Sequence, residues 1–576
     1  MNRRQVAWMF FCFLWGGCSI MARGQGVTVD YGSRGYTAYP VSANLLGLNG
    51  AFNWQDQESS AVSYLSTAGF VNARSGVYMP DIFPDPCTVN ESPCPGFNHA
   101  PLDTMMANYK STGLTPLINI AYTPGWLFTT SYCSSTTDQH HNPPDNPAYD
   151  DYNTYGWLAA QIVNYIDTNY PGQVTQYEIW NEPDSASYLC APNNGTRLQE
   201  YLNIFGAASQ AMYKQWSQDN KNNPNLPPIK IGGPVLANIY QDENVQNLDW
   251  IMPFLGNNTI YALYDNENPG HPVVDNINFF DFHEYITGAL MANNEDWNNE
   301  SGCGNTCWHL LQMTQGTQQI NPPNPGPSYA PDPAATYELI SQDMQTAVKD
   351  GYLPASVPVY LTEYNTSSGG SSTGLLDFGQ TGPYAYLWNG LLTADLLNSV
   401  YNGASAPPAG LYYFSGRWVG PNGSDQYCLL DTDPSGNGYG CYFDDTSVSP
   451  YPQYYFYDLL GSPNYLGLSS GGAYMAQSIS VNSSLSNNNV VVTGFYTPTA
   501  DDVLIINNGT TNYTTGNSGQ IQVLFQNAGF NSPTATRYVV ASSSVSTNSL
   551  KINQVSGGYQ VSINVPAESV VAVSVQ

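Results

Sequence analysis

Positive charge is what this 576-residue chain lacks most: 14 Lys and Arg stand against 44 Asp and Glu, for a formal net charge of −30. A surface so poor in cations repels phosphate backbones and anionic lipid, which excludes nucleic acid and membrane surfaces as partners. Charged residues of both signs amount to 10 per cent, against about 25 per cent in an average soluble protein. Polarity therefore rests on Asn, Ser, Thr and Gln. Histidine is scarce too, with six in all. His140 and His141 lie near Cys133, but a Pro-rich stretch follows and no zinc-ligand spacing results. Beyond residue 24 no run reaches the ~18 apolar residues of a membrane-spanning helix. No Gly-rich phosphate turn follows the first strand-like run, which counts against a doubly wound nucleotide-binding sheet.

What is present is material for a large core. Hydrophobic residues make up 42 per cent, so disorder is excluded, and the length calls for one large domain with a smaller one. Arg3 and Arg4 precede an apolar run from Val6 to Trp15 and a small-residue stretch ending at Gly24. That pattern reads as a secretory signal peptide over residues 1–24, and predicts a secreted protein, extracellular or periplasmic. Outside it the cysteines number eight, as Cys87 and Cys94, Cys133 and Cys190, Cys303 and Cys307, Cys428 and Cys441. An even count fits disulfides in an oxidising compartment, although eight Cys allow 105 pairings.

Between residues 42 and 461 short β-branched runs alternate with longer amphipathic stretches, the signature of βα units. Eight strands are predicted: Ala43–Gly50, Phe70–Ser75, Thr115–Ala121, Gln176–Trp180, Ile229–Pro234, Ile277–Tyr285, Val357–Thr362 and Gly410–Phe414. Eight such units over some 420 residues predict an α/β fold, a (β/α)8 barrel with enlarged loops. Residues 76–100, 122–150 and 286–335, rich in Pro, Asn, Gly and Cys, each follow a predicted strand and so fall on the C-terminal face. Residues 462–576 lose the helical period and read as short alternating strands of a β-sandwich. Residues 25–41 hold a strand-like segment that would join that sandwich.

Two segments carry chemistry. Tyr177-Glu178-Ile179-Trp180-Asn181-Glu182-Pro183 ends the fourth predicted strand, and Thr362-Glu363-Tyr364-Asn365 ends the seventh. Strands four and seven of an eight-stranded barrel face one another across its mouth, so Glu182 and Glu363 become a carboxyl pair. Retaining glycoside hydrolysis needs such a pair, about 5–5.5 Å apart. Together with Gly232-Gly233-Pro234 and His283-Glu284-Tyr285, these motifs resemble clan A of the glycoside hydrolases. Several details are most similar to family 39, whose members include β-xylosidases and α-iduronidases. The resemblance implies Glu363 as nucleophile, held by Tyr285 and Arg74. It implies Glu182 as general acid/base, its pKa raised by burial and by the Glu363 charge, and Asn181 as a partner of the sugar 2-hydroxyl. His283, Trp126, Trp180 and Trp418 complete the expected substrate-binding set. The strand-eight segment Tyr412-Tyr413-Phe414-Ser415-Gly416-Arg417-Trp418 departs from the family pattern.

Catalysis of this kind implies no cofactor and no metal. The partner expected is a plant or microbial oligosaccharide or polysaccharide of neutral sugars such as xylose, because a uronate wants a cationic clamp; Arg417 keeps the uronate alternative open, and endo action is a further one. Gly370-x-Ser372-x-Gly374 fits a serine-hydrolase elbow but lies in a Ser/Gly-rich loop. Asp431-x-Asp433-x-Ser435-Gly436 begins like a calcium loop, yet Tyr442 stands where the bidentate Glu belongs. A non-catalytic carbohydrate-binding protein is the alternative of another class, and it would not require both Glu182 and Glu363.

Overall fold

The structure, a computed structural model, describes residues 25–32, 39–49, 64–87, 94, 96–129, 132–133, 139–237, 250–256, 277–285, 333–353, 355–365, 385–414, 430–431, 449–487, 489–515, 517–541 and 543–576. Eight parallel strands close into a barrel in chain order. They are β2 (Leu46–Asn49), β3 (Asn72–Tyr78), β4 (Thr115–Ala121), β5 (Gln176–Ile179), β6 (Lys230–Leu236), β7 (Phe279–Tyr285), β8 (Val359–Asn365) and β9 (Gly410–Phe414). The expected (β/α)8 barrel is therefore present, each strand lying at or within a few residues of its predicted span. The strands are buried on both faces, as helices outside and side chains inside require.

Helices α1 (Ala100–Thr112), α2 (Asp151–Asn169), α3 (Asn194–Asn222), α4 (Pro333–Lys349), α5 (Ala385–Asn402) and α6 (Pro452–Gly461) run outside the barrel. Their ends follow local chemistry. Pro101 opens α1 and Gly113, at φ 74°, closes it in the left-handed conformation. The Asn193 side chain accepts from Thr196 N to cap α3. Gly156 lets α2 and α3 touch, since a Cβ there would stand 2.5 Å from the Ala207 carbonyl oxygen.

Inside the barrel the period of two stacks side chains in layers. Leu117, Phe279, Tyr360 and Tyr412 form a closed apolar floor. Gly47 and Gly232 leave space for it, because a Cβ at either would run into the Tyr412 or Phe279 ring. Two residues further along the strands come Arg74, Asn119, Glu178 and Asp281, all buried polar groups. Above them, at the strand ends, lie His283, Glu182 and Glu363.

The remaining strands form a short ladder, β10 (Leu430–Asp431) with β11 (Ser449–Pro450), and a two-sheet sandwich. One sheet holds β1 (Gly26–Asp30), β13 (Ser478–Val481), β16 (Ile521–Gln526), β19 (Ile552–Val555) and β20 (Gly558–Ile563). The other holds β12 (Tyr474–Met475), β14 (Val490–Tyr496), β15 (Asp501–Asn507), β17 (Ala535–Ala541), β18 (Ser544–Leu550) and β21 (Ser569–Val575). β1 pairs antiparallel with β13 and parallel with β16.

Plain alternation, expected throughout this region, gives way to continuous burial in the inner sheet. Every residue of β14, β15 and β21 is buried. Val503 and Ile505 face the second sheet, whereas Leu504 and Ile506 belong to the same apolar core as the barrel helices. The inner sheet is thus covered on both sides, and such strands read as continuous apolar runs. From α5, Tyr386, Asn398 and Tyr401 donate hydrogen bonds to the backbone carbonyls of Glu568, Val492 and Ala476 at 3.0, 2.9 and 2.7 Å. Among the described residues no helix is long and apolar enough to cross a membrane.

Candidate active site

Glu182 and Glu363 meet at the barrel mouth. One oxygen from each carboxyl group and a ring nitrogen of His283 all lie within 4.8 Å of one another. Both side chains keep a window to solvent, 11 per cent exposed for Glu182 and 14 per cent for Glu363. Arg74, on β3, lies beneath them with its guanidinium fully committed. Nε donates to Glu178, Nη1 to Glu363 Oε2 at 3.3 Å, and Nη2 to Asn181 Oδ1 at 2.9 Å. Burial pulls its pKa down, but the charges of Glu178 and Glu363 push it up further, and it stays charged. Asn49 Nδ2 adds a second hydrogen bond to Glu363 Oε2, at 2.9 Å.

Burial raises the Glu182 pKa to about 7, with Arg74 pulling the other way. Arg74 also pairs with Glu363, at 3.3 Å. His283 Nδ1 lies 2.8 Å from Glu182 Oε1 and 3.5 Å from Glu363 Oε2. Burial lowers the His283 pKa to about 4, so the imidazole is neutral at ordinary pH. These three groups are close enough to surround a cation, but Arg74 already provides positive charge there.

Backbone strain gathers at this mouth. Tyr122, Trp180, Glu182 and Val235 have φ of 69°, 72°, 46° and 57°, each costing about 1–3 kcal/mol for a side-chain-bearing residue. Specific hydrogen bonds hold them. Trp180 N donates to Ile120 O at 2.8 Å and Glu182 N to Val235 O at 3.1 Å. Three β-sheet irregularities lie here as well, including a bulge at Val235 and one that carries the β7–β8 register from Phe282–Leu361 to His283–Glu363. Bulges re-aim side chains near strand ends.

Several expected contacts take other positions. Trp180 is completely buried, its indole N–H donating to Tyr188 O at 2.8 Å, so it cannot touch a ligand. Trp126, partly buried, donates to Phe83 O at 3.0 Å and packs against Tyr149 at 4.9 Å, which holds it in the loop. Arg74 and His283, expected beside the substrate, are buried under the carboxyl pair and act on it. Glu284 points away from His283, as alternation requires, and is itself buried. The side chain of Tyr285, and Trp418, Arg417, the Ser372 loop and the Asp431 loop beyond β10, lie outside the described residues.

Three residues of the site were not anticipated. Asn49, Glu178 and Asp281 follow from the same period of two that picks out His283: Phe279, Asp281 and His283 share one face of β7, and Gln176 and Glu178 one face of β5. The loops are braced. Cys133–Cys190 ties the loop after β4 to the loop after β5, and Cys87–Cys94 closes the loop after β3, with Cα separations of 5.3 and 5.6 Å. Tyr78, Tyr122, His141 and Tyr188 form a run of rings along one side, with centroids 5.1, 4.4 and 5.6 Å apart. Tyr78, at its end, is exposed.

Comparison with solved structures now bears on the fold. A family 39 glycoside hydrolase from Xanthomonas axonopodis pv. citri superposes with a TM-score of 0.57 and 13% identity, covering 96% of this chain and 98% of its own. A monomeric β-xylosidase from Caulobacter crescentus CB15 gives 0.55 and 12%, covering 96% and 99%. A family 30 endoxylanase from Clostridium papyrosolvens C71 gives 0.53 and 15%, covering 95% and 99%. The fold is that of glycoside hydrolases of clan A. No family model matches the sequence, and no curated protein does.

Proposed function

We propose that the protein is a retaining glycoside hydrolase acting on neutral sugars, β-xylosidase-like in substrate class, with Glu363 as nucleophile and Glu182 as general acid/base. The observation that carries this reading is the carboxyl pair with oxygens within 4.8 Å, the short spacing of retaining enzymes; inverting ones separate their carboxyl groups by about 6.5–9.5 Å.

The two environments divide the roles. Glu363 accepts from Arg74 and Asn49, which fixes its carboxyl group where it can attack the anomeric carbon. Glu182, near 7, is protonated below neutrality and can donate to the leaving oxygen. The neutral His283 carries its hydrogen on Nδ1 and donates to Glu182 Oε1, leaving Oε2 to hold the catalytic proton. When Glu363 becomes a glycosyl ester its charge disappears and Arg74 is offset by Glu178 alone. The guanidinium then pulls the Glu182 pKa down, so the same group becomes the base that activates water. This route to role reversal runs through Arg74 and adds to the loss of direct repulsion between the two carboxylates.

Neutral sugars are favoured because Arg74 is committed, and Arg197, buried, donates to the carbonyls of Leu189 and Asp184 at 3.0 and 2.9 Å. Neither is left to clamp a uronate. The names of the neighbours, a β-xylosidase and an endoxylanase, point to xylose-containing substrates. Export by the leader over residues 1–24 belongs to the same reading.

The test is a panel of aryl β-xyloside, α-arabinoside, β-glucoside, β-galactoside and β-glucuronide, with Glu363→Gln alongside. Turnover of one substrate, reduced about 10³-fold or more in the variant, is expected. kcat/KM should fall as pH rises through about 7, because the acid form of Glu182 is lost. Equal rates for wild type and variant would remove the nucleophile assignment.

A further inference from the structure

We propose that Asp281 is a positioning residue that couples the two carboxyl groups of the site, holding the Glu182 backbone with one oxygen and the Glu178–Arg74 support of Glu363 with the other. The inference deepens the glycosidase reading and rests on it for the roles of Glu182 and Glu363.

The first arm is a backbone relay. The bulge in β6 places Val235 opposite no residue of β7, since Pro234 pairs with Asp281 and Leu236 with Phe282. Its amide groups therefore lack ladder partners, and a buried N–H left unpaired is costly. Asp281 Oδ1 accepts the Val235 N–H at 2.7 Å. The Val235 carbonyl in turn accepts the Glu182 N–H at 3.1 Å. Both Val235 and Glu182 have positive φ, so neither conformation would persist without such ties.

The second arm is a shared proton. Asp281 Oδ2 and Glu178 Oε1 are both buried, and neither has a hydrogen-bond partner among the described residues. Two bare carboxylates cannot coexist there, whereas a protonated carboxyl beside an ionised one satisfies both. Burial pushes Asp281 well above the carboxylate range; the Glu178 charge and its hydrogen bond raise it further, and Val235 N and Arg74 oppose. Asp281 is thus the neutral member and donates its O–H to Glu178. The other Glu178 oxygen, Oε2, accepts from Arg74 Nε and from Asn119 Nδ2. Arg74 then reaches Glu363 and Asn181. Tyr360 and Tyr412 face this layer from below and His283 from above; Arg74 is the cation within it.

The experiment compares Asp281→Asn, Asp281→Ala and Glu178→Gln. Asn keeps an acceptor for Val235 and a donor for Glu178, so kcat is expected within about three-fold of wild type. Ala removes both arms, and kcat should fall about 10²-fold with KM changed less than three-fold. A second readout needs no substrate: titration of the Glu182 carboxyl by ¹³C NMR, assigned with Glu182→Gln. Its midpoint near 7 should move by half a pH unit or more in Asp281→Ala and stay put in Asp281→Asn. An unmoved midpoint in Asp281→Ala, a loss confined to KM, or Asn as damaging as Ala would overturn the proposal. If the Ala variant does not fold, Glu178→Gln decides the second arm. An acid limb of kcat/KM unchanged from wild type would overturn it, and a shifted one would support it. Wild-type protein inert on every glycoside would overturn the glycosidase reading instead, with the titration still reporting on Asp281.

Discussion

At the barrel mouth four carboxyl groups, Glu178, Glu182, Asp281 and Glu363, surround one guanidinium, that of Arg74. In the sandwich Asp502 is equally buried, but its neighbours are the Ser574 hydroxyl and the Asp501 carboxylate. Burial raises carboxyl pKa values in both places: Glu182 to about 7, Asp502 to about 8. The difference is the cation. In the barrel it pulls against burial at Glu182 and Asp281, the kind of opposed environment that acid–base chemistry would use. In the sandwich the acid is simply kept neutral, as a fully buried group with no counter-charge must be. Perturbed acidity alone does not mark the site; perturbed acidity around a shared charge, open to solvent, does.

The sharpest way to break that contrast is Arg74→Met. Glu178 and Glu363 would then be left as uncompensated negative charges under the mouth. Loss of one partner of a buried ion pair costs about 3–5 kcal/mol. Thermal unfolding should drop accordingly, and activity on the responsive glycoside should fall about 10³-fold or more. Retention of wild-type stability would mean that water reaches this layer, and that the division of protonation states has another origin.

A smaller effect is expected where the two regions meet. A Cβ at Gly390, on α5, would stand 3.1 Å from Val570 Cγ2 and 3.3 Å from Ile506 Cγ1, both in the inner sheet. Gly390→Leu should therefore force the helix off the sheet and destabilise by about 1–3 kcal/mol. Barrel and sandwich should still melt together, since the inner sheet shares its apolar core with the barrel helices. Two separate transitions in calorimetry would show that the sandwich folds alone and only rests on the barrel.

How far the sequence made this legible differs between the regions. The barrel strands and the Glu182–Glu363 pair were readable, because βα alternation and strand-end motifs are local signals. Glu178 and Asp281 lie on faces already identified, but a carboxylate in a strand interior gives no sign by itself of whether it meets a cation or a second carboxyl. That depends on which strands the closed barrel brings opposite. Trp180 was misjudged for the reverse reason. An indole near a strand end resembles a sugar platform, and only the positive φ at Trp180 and the carbonyl partner of its ring turn it into packing. The continuous burial of β15 was likewise invisible, since its second cover is α5, more than a hundred residues away in sequence.

Asp502 offers a gentler test through pH. Burial lifts its folded pKa to about 8, above the ordinary carboxylate value of 3.8, so the folded chain retains a proton that the unfolded chain has already released. Stability is fully present below about 4 and is lost as pH rises towards and through 8, where the loss levels off. Asp502→Asn stays neutral at every pH and should flatten that decline. Equal slopes in melting temperature between pH 5 and 8.5 for wild type and variant would show that water hydrates the carboxyl and that the sandwich tolerates it ionised.

The smallest effect is expected at the arginine that has no such role. Arg537, on β17, is half-buried, its Nε has no acceptor, and burial alone pulls its pKa down with no anion raising it. Holding a charge partly out of water without a partner is a cost, not a gain. Arg537→Met keeps the aliphatic stem and removes that cost, so stability should change by about 0.5 kcal/mol or less, or rise slightly. The same substitution is thus predicted to be ruinous at residue 74 and nearly silent at residue 537. A fall of several degrees in melting temperature for Arg537→Met would place an anion beside it, and would make the sandwich resemble the barrel mouth after all.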